Sequence, residues 1–406
     1  MRVNALTVAS ALASLFGGML TAFTVSIGGE LPLGEVILCL VFAWILFQGL
    51  VTGSLPAEVP RSRLFYLLIA CQAAAFAAYV FSDLYRHSSP HDMGRGWARM
   101  VFLAIDVVSV AYLFGCLRLN LLIFIFGEMT GDVVHTLAVG ALYGDNWKFG
   151  IGVPLTFLAL FMASLLGRPA VVAAAFAMCG IHFVMDFRSF GGICLVVGAA
   201  VLLTLFPRRM RPWLLLPALL IVAGGIAAYA VLSSGSSHRA TRSNVDRSAM
   251  LIAAYDGFVS NPVVGQGSWF SNSPVLGNFM AIRAEQAKIM HVGGFPEATD
   301  NPGTVAFHSQ ILVALAEGGL FGATFFLAFG AALVVAIYRL TFVIRSHRFT
   351  GIELLVLGVA LFNWFLSPFS GAHRVYIAVA CGLLLTLPSR REERMEPNAR
   401  TTPTCA

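Results

Sequence analysis

Long apolar runs dominate this chain, and they limit the folds that it can adopt. The runs are roughly 18 to 22 residues long, the length that an α-helix needs to cross the hydrocarbon core of a bilayer. Of the 406 residues, 58% are hydrophobic and 11% are charged, whereas a soluble domain carries about 25% charged residues. The runs also lack the alternating pattern of a membrane β-barrel. The sequence therefore predicts an all-α polytopic membrane protein.

Twelve runs qualify as candidate transmembrane spans, and Gly, Pro or charged residues separate them. They are Ala5–Ile27, Leu33–Thr52, Leu64–Phe81, Ala98–Leu117, Leu119–Gly140, Gly150–Leu166, Ala170–Met185, Phe190–Phe206, Trp213–Leu232, Leu320–Leu340, Ile352–Phe369 and Val375–Leu387. Spans one to nine then lie in residues 1–232, a large polar loop in 233–319, spans ten to twelve in 320–388 and a polar tail in 389–406. The first run lacks a persuasive cleavage site, so we expect a retained span.

Lysines and arginines divide unequally between the two sides that this layout defines. Outside the long loop, about fifteen fall on the side of the termini and six on the other side. Because cytoplasmic loops of membrane proteins carry the excess of positive charge, we expect both termini in the cytoplasm and the long loop outside it. The net charge of +6 follows from this bias, and no nucleic-acid partner is expected.

His308 is the first candidate catalytic residue. It begins the segment HSQILVALAEGG, in which Ile311, Leu312 and Leu315 recur at helical spacing. A histidine at a helix N-terminus is kept neutral by the helix dipole, and a neutral imidazole is what a general base needs. The alternative is an interfacial histidine without a catalytic role.

Four arginines are candidates for binding phosphate. Arg239, Arg242 and Arg247 lie at or before a predicted helix over Arg247–Val259, and Arg188 lies in DFRSFGG on the same predicted side of the membrane. Arginine binds phosphate oxygens through two parallel hydrogen bonds and stays charged. Ordinary anchoring to lipid headgroups is the alternative interpretation.

Ionisable residues inside the predicted spans suggest a second kind of function. Glu128, Asp132 and His135 share one face of the fifth span, Asp106 lies in the fourth and His182 in the seventh. Such groups can form a proton relay, as in a transporter, or a polar seam between helices. Both interpretations stay open.

The sequence shows no pattern typical of a metal or nucleotide site. The acidic residues on the predicted outer side have no Asp-X-Asp pairing, and none of the seven cysteines lies in the long loop. No Gly-rich phosphate loop ending in Gly-Lys is present. We therefore expect no metal, no cofactor and no coupling to ATP hydrolysis within the chain.

Two stretches of the long loop resemble motifs of the O-antigen ligase and O-antigen polymerase superfamily, bacterial membrane proteins with a large periplasmic loop. RSAMLIAAYDGFVSNPVVGQGSW is similar to the beginning of that loop, where an Arg precedes an amphipathic helix, an Asn-Pro and a Gly-x-Gly turn. FHSQILVALAEGGLFGATFFL is similar to its end, where a His is followed by a Gly eleven positions later, as His308 is by Gly319. Arg247 and Leu251 match the Arg–Leu spacing of the ligases.

A third stretch, FRSFGGICLVVGAAVLLTL, resembles the family's Ser-Arg-Ser segment and maps its arginine to Arg188. The twelve-span layout with a loop between spans nine and ten also agrees. The likeness covers mainly Arg188–Leu340, and Gln310 and Ile311 depart from the family's pattern after the histidine.

The resemblance implies a metal-independent glycosyltransferase in a bacterial inner membrane. The donor would be a glycan on undecaprenyl diphosphate, and the acceptor a sugar hydroxyl at the periplasmic face, with lipids around the spans. The acceptor would belong to lipid A core for a ligase, or to a further O-antigen or exopolysaccharide repeat unit for a polymerase. His308 would be the base, and direct attack would invert the anomeric carbon. Arg188 and Arg247, with Arg239 and Arg242 as further candidates, would bind the diphosphate.

Other functions remain open at this point. A proton-coupled transporter or lipid flippase would use Glu128, Asp132 and His135. A non-catalytic membrane scaffold would use the loop to bind a partner, and a relative that glycosylates proteins would carry the same loop motifs.

Overall fold

A computed structural model describes residues 5–26, 30–54, 56–115, 117–138, 147–217, 220, 223–224, 238–270, 273–289 and 307–388. Its α-helices are α1 (Ala5–Leu20), α2 (Leu33–Thr52), α3 (Arg63–Arg86), α4 (Pro90–Phe114), α5 (Arg118–Ala138), α6 (Gly152–Leu166), α7 (Arg168–Val184), α8 (Arg188–Leu205), α9 (His238–Ser260), α10 (Val275–Ile289), α11 (Gln310–Gly322), α12 (Thr324–Tyr338), α13 (Thr350–Leu366) and α14 (Gly371–Leu385).

Short elements complete this description. A two-stranded antiparallel hairpin, β1 (Thr24–Ser26) and β2 (Glu30–Pro32), joins α1 to α2 and pairs Val25 with Leu31. Two π-helical turns, Trp147–Ile151 and Arg339–Val343, precede α6 and follow α12.

Helices account for nearly all of the regular structure in the described residues, which confirms the all-α class. Six are long and apolar enough to cross a membrane, and six shorter apolar helices accompany them. Large apolar side chains stand exposed on their outer surfaces, among them Leu50 at 86% and Leu166 at 84% exposure; lipid is the solvent that such a surface needs. The count of twelve spans stays a prediction, because most of Trp213–Leu232 and the tail 389–406 lie outside the described residues.

The first and fifth helices pack unusually closely because glycines face backbone across their contact. A side chain at Gly127 would begin less than 3.0 Å from the Leu15 carbonyl oxygen, and one at Gly131 would begin less than 3.0 Å from that of Met19. Gly127 and Gly131 stand four residues apart, the small-xxx-small spacing that lets membrane helices approach through their backbones. Asn120 adds a hydrogen bond of 2.6 Å from its Nδ2 to Ser10 Oγ.

The last helix, α14, forms the centre of the bundle. It packs along α4, and its residues Val375, Ala378 and Cys381 are almost completely buried. Near its start, Arg374 donates two hydrogen bonds of 2.7 and 2.9 Å to the buried carboxylate of Glu35 on α2. Such a bidentate pair satisfies two charges that would otherwise be costly to bury.

The helices of the long loop pack against one end of the bundle, which we call the loop end. α9 and α10 lie side by side, and α9 also packs on α11. Ala249 and Ala253 of α9 share a small apolar core with Phe279 of α10 and Val313 of α11. The predicted helix Arg247–Val259 is part of α9, which starts nine residues earlier. α11 runs across the predicted boundary between the loop and the tenth span.

Buried arginines tie helices together at the opposite end. Arg211 donates to the backbone carbonyl oxygens of Thr341 at 2.7 Å and Thr204 at 3.1 Å. Arg118 pairs at 2.6 Å with the buried carboxylate of Glu353. Arg211 thus satisfies carbonyl groups near helix C-termini, where no intrahelical partner remains, whereas Arg118 pairs with a carboxylate.

We expect Gly127→Ala to lower the free energy of unfolding by about 1–3 kcal/mol, the usual cost of overpacking, because its new methyl group meets the Leu15 carbonyl. Gly180→Ala on α7 is the matched control, since nothing lies within 4 Å of the added methyl, and it should be neutral or slightly stabilising. Unfolding of the purified protein in detergent measures both. Equal stability of the two variants would disprove the close α1–α5 contact.

Candidate functional site

The turn NPVVGQGSW, residues 261–269 in the first half of the long loop, is hydrogen-bonded to the end of that loop. Gln266 N donates to Ala316 O at 2.8 Å, and Leu320 N donates to Pro262 O at 2.8 Å. The turn reaches this position through left-handed backbone at Gly265 (φ 83°) and Gly267 (φ 82°), which glycine adopts without steric cost. Any side chain at position 265 would also collide with the backbone of α11.

A buried ion pair lies directly beneath this turn. Arg99 of α4 is 6% exposed and Glu317 of α11 is 1% exposed, and Arg99 Nη2 donates to Glu317 Oε2. Tyr79 Oη of α3 donates to the same oxygen at 3.0 Å, and the backbone N–H of Trp269 donates to Glu317 Oε1 at 2.9 Å. Both oxygens of the carboxylate therefore have partners, so burial of its charge is compensated.

A second carboxylate, that of Asp83 on α3, accepts hydrogen bonds from the turn. Asp83 is fully buried and accepts from Ser268 N at 2.6 Å, from Ser268 Oγ at 2.8 Å and from Trp97 Nε1 at 2.8 Å. Next to it, Ser82 Oγ donates to Glu317 O at 2.8 Å. Helices α3, α4 and α11 are thus joined through the turn NPVVGQGSW.

The contacts of Asp83 and Trp97 explain why α3 and α4 extend beyond the spans predicted for them. The spans end at Phe81 and begin at Ala98, whereas α3 continues to Arg86 and α4 starts at Pro90. The added turns carry Asp83 and Trp97, which contact the loop. Sequence reasoning missed the role of Glu317, although a single charge in the apolar run ILVALAEGGL is the signal that marks it.

His308 lies half-buried just before α11. Ser309 is the N-cap of this helix, and its Oγ accepts from Leu312 N at 3.2 Å. The pKa of His308 is lowered from its ordinary value of 6.5, first by burial and then by the positive charges of Arg247 and Lys148, while Asp246 acts in the opposite direction. The imidazole is therefore neutral at pH 7, the form that accepts a proton.

Arg247 and Lys148 interact electrostatically with His308, and Arg188 interacts with Lys148. Arg247 belongs to α9, Lys148 to the π-helical turn before α6 and Arg188 to the first turn of α8. The pKa of Lys148 is lowered by burial and by the positive charges of Arg247 and Arg188, with Asp186 opposing them. Arg188 Nε also donates to Asp186 Oδ1 at 2.7 Å. Two carboxylates, Asp186 and Asp246, accompany the three cations, so a net positive charge remains and attracts anions.

The other two candidate arginines take no part in this description. Arg239 and Arg242 fall in the first turns of α9, and their side chains lie outside the described residues. Lys148, by contrast, belongs to the cluster although sequence reasoning assigned it no role. It lies close to an apolar run, where a lone lysine is a weak signal. Within the described ranges no group of three His, Cys, Asp or Glu residues could hold a metal ion.

His182 has a structural environment rather than the surroundings of a relay. Trp147 Nε1 donates to His182 Nδ1 at 3.0 Å, so the ring proton sits on Nε2, which lies 2.7 Å from Thr156 Oγ1. That hydroxyl in turn donates to Gly152 O at 2.8 Å. Both ring nitrogens are occupied, and the imidazole fixes α6 against α7.

The remaining ionisable groups lie in two different surroundings. Glu128 is buried on α5 and interacts electrostatically with Asp132 on the same helix, while His135 meets the Phe23 ring edge-on at 5.5 Å. Asp106 of α4 lies beside the pair formed by Glu35 and Arg374. A proton relay and a polar seam between helices both stay open as interpretations of these groups.

The chain matches no protein-family model, and it matches no curated protein sequence. A function for it therefore rests on the chemistry of the loop end.

Replacing Arg99 with Met should lower the free energy of unfolding by about 3–5 kcal/mol, because it leaves Glu317 buried without its cation. Arg283→Met is the control: Arg283 pairs with Asp246 at 2.7 Å, but the two side chains are 19% and 29% exposed, so about 1 kcal/mol or less is expected. Adding Glu317→Leu to Arg99→Met should restore part of the loss. Denaturant unfolding in detergent checks this, and equal losses for the two arginines would contradict it.

Proposed function

We propose that this chain is a glycosyltransferase that moves a glycan from undecaprenyl diphosphate to a sugar hydroxyl on lipid A core. The reaction takes place at the periplasmic face of a bacterial inner membrane and builds lipopolysaccharide. One observation carries the proposal: half-buried His308 interacts electrostatically with Arg247 and Lys148, and Lys148 with Arg188, cations that come from three separate segments of the chain. This arrangement supplies a base and an anion site together.

The cation cluster suits the diphosphate of the donor. Arginine stays charged and forms directed hydrogen bonds to phosphate oxygens, which suits Arg247 and Arg188 to this role. A bound diphosphate would in turn favour the charged form of Lys148, whose pKa burial and the two arginines lower. Lys148 joins the set that the resemblance implies. Because polyprenyl diphosphate is already a good leaving group, neutralising its developing charge is the main electrostatic task. No nucleotide is needed for this reaction.

His308 acts as the base in this proposal. Its imidazole accepts the proton of the acceptor hydroxyl while that oxygen forms a bond to the anomeric carbon. The bond from the anomeric carbon to the diphosphate oxygen breaks, and undecaprenyl diphosphate leaves with the electron pair. A single displacement inverts the anomeric configuration. The product is the glycan joined to the acceptor, with no cofactor consumed.

The lipid part of the donor needs an apolar surface close to the turn. An apolar groove of about 340 Å³ runs between α3 and α11 and is lined by small side chains of α3, with Phe81, Val263 and Phe321 at its edges. It adjoins the turn that fastens the loop. A prenyl chain fits such a surface because it has no polar atoms that need hydrogen-bond partners.

The distribution of basic residues supports the proposed sidedness. Arg118, Arg168 and Arg211 lie at the end of the bundle opposite to His308, the end that the proposal assigns to the cytoplasm. This division follows the positive-inside rule. Both termini and the five connections between spans at that end would then be cytoplasmic, with twelve spans and a periplasmic loop.

Substituting His308 with Ala should reduce glycan transfer by about 10²–10⁴-fold, the usual contribution of a general base. The measurement is the cell-surface glycan of a strain with the variant, with lipid-linked intermediates extracted in parallel. His91→Ala is the matched control, because His91 lies at the same end of the bundle and its side chain is 78% exposed; its profile should equal the wild type.

The products of the His308→Ala strain separate the candidate functions. Long glycan on polyprenyl diphosphate with bare lipid A core identifies a ligase, whereas core capped with a single repeat unit identifies a polymerase. A wild-type profile at normal protein level would disprove the mechanism. Asp132→Asn tests the transporter: it should abolish proton-coupled transport and largely spare glycan transfer.

The pH dependence of transfer should follow the lowered pKa of His308. The neutral base is lost as the pH falls through that pKa, so the acid limb of kcat/KM lies below pH 6.5, the ordinary value for histidine. Lys148→Gln removes one of the charges that disfavour the imidazolium, so its acid limb should move to higher pH. Lys288→Gln on α10 is the control for loss of a loop cation. Identical acid limbs for Lys148→Gln and the wild type would contradict this coupling.

A further inference from the structure

A cavity of about 150 Å³ lies beside the buried ion pair, between α4, α11 and the connection from α13 to α14. A water molecule occupies about 30 Å³ in the liquid, so the space equals about five waters. One six-membered sugar ring requires a space of this order. The proposed function leaves the cavity without a role.

Aromatic side chains form most of the walls. Phe270, Phe307 and Phe369 line the cavity together with Trp269, and the rings of Phe270 and Phe307 meet edge to face with their centroids 5.0 Å apart. Binding sites for small molecules combine such apolar walls with a few polar groups. A pyranose ring fits this surface because its C–H faces are apolar and its edge carries oxygens.

Two hydrogen-bond donors at the cavity have no partner. Trp269 Nε1 and Arg99 Nε are both buried, and neither has a hydrogen-bond partner in the part of the chain that the structure describes. Both residues line the cavity. Glu317 accepts from other atoms instead, namely Arg99 Nη2, Tyr79 Oη and the Trp269 backbone N–H. Buried donors without partners are costly, and oxygen atoms of a bound molecule would satisfy them.

The cavity also lies next to the proposed base. Phe307, which lines it, immediately precedes His308. On the other side, Ser370 lines it and its Oγ lies 2.6 Å from His373 Nδ1, and His373 interacts electrostatically with His308. The cations assigned to the diphosphate are not among the described lining residues. The cavity is therefore placed for the acceptor.

We propose that this cavity binds one monosaccharide ring of the acceptor, stacked on its aromatic walls, with a ring or hydroxyl oxygen accepting from Trp269 Nε1 and Arg99 Nε. This proposal rests on the proposed function and adds the acceptor site to it. Trp269 is then a specificity-determining residue rather than a catalytic one. The site favours sugars that place an oxygen atom between Trp269 Nε1 and Arg99 Nε. This oxygen can belong to a neutral hydroxyl or ring, or to an acidic carboxylate.

Saturation-transfer NMR with a panel of methyl glycosides tests the site directly. The panel contains neutral hexoses, heptoses, hexosamines and uronic acids, and the full chain is held in lipid nanodiscs so that no sugar detergent competes. Trp269→Phe keeps the ring and removes the donor; Trp213→Phe is its control, because Trp213 is 84% exposed. At least one glycoside should bind the wild type and Trp213→Phe, and bind Trp269→Phe about 3- to 10-fold more weakly, the effect of one hydrogen bond.

Two results would overturn the proposal: no glycoside of the panel binds the wild type, or its affinity is unchanged in Trp269→Phe. His308→Ala, measured in the same way, should retain the binding. If glycan transfer in cells does not require His308 but sugar binding still requires Trp269, the proposed function fails and the sugar site stands. If transfer requires His308 but no glycoside binds, the sugar site fails and the proposed function stands. Where transfer is measured, Trp269→Phe should raise KM for the acceptor and leave kcat nearly unchanged.

Discussion

The loop end depends on the buried contact between Arg99 and Glu317. Two charges in an apolar bundle are tolerable only when both are paired and hydrogen-bonded. Here Tyr79 and the Trp269 backbone complete the shell of the carboxylate. Meeting that requirement brings α3, α4 and α11 to one point and lays the turn of the loop over it. The position of His308, nine residues before Glu317 and just ahead of the same short helix, follows from this anchoring.

Around His308, by contrast, positive charges outnumber negative ones. The pair beneath the turn is neutral as a unit, whereas Arg247, Lys148 and Arg188 outnumber the two nearby carboxylates, Asp186 and Asp246. Mutual repulsion among these cations costs stability in the empty protein, and an anion that binds among them relieves it. Burial lowers the pKa of the neighbouring imidazole, and the positive charges of Arg247 and Lys148 lower it further. In the proposed function, this one arrangement of charge would serve both the leaving group and the base.

Sequence reasoning reached the helices more readily than the contacts between them. Apolar run lengths indicated the all-α class, and helical spacing after His308 indicated α11, whose cap is Ser309. The pairing of Glu317 with Tyr79 and Arg99 spans 238 and 218 positions along the chain, and no local pattern encodes such partners. The extra turns of α3 and α4 were missed for the same reason. Their polar residues are typical of a loop, and only the groups that they bind in the structure explain why they are helical. Lys148 lacked any local signal, and only its spatial neighbours distinguish it.

The turn that joins Pro262 to Leu320 closes the long loop at its base. Once the ends of a loop are held, lengthening it costs only about 0.6 kcal/mol for each doubling of its length. The hydrogen bonds between the turn and the end of the loop therefore depend little on how many residues separate Trp269 from His308. The charged centre and the helices that support it can be kept while this part of the sequence changes in length.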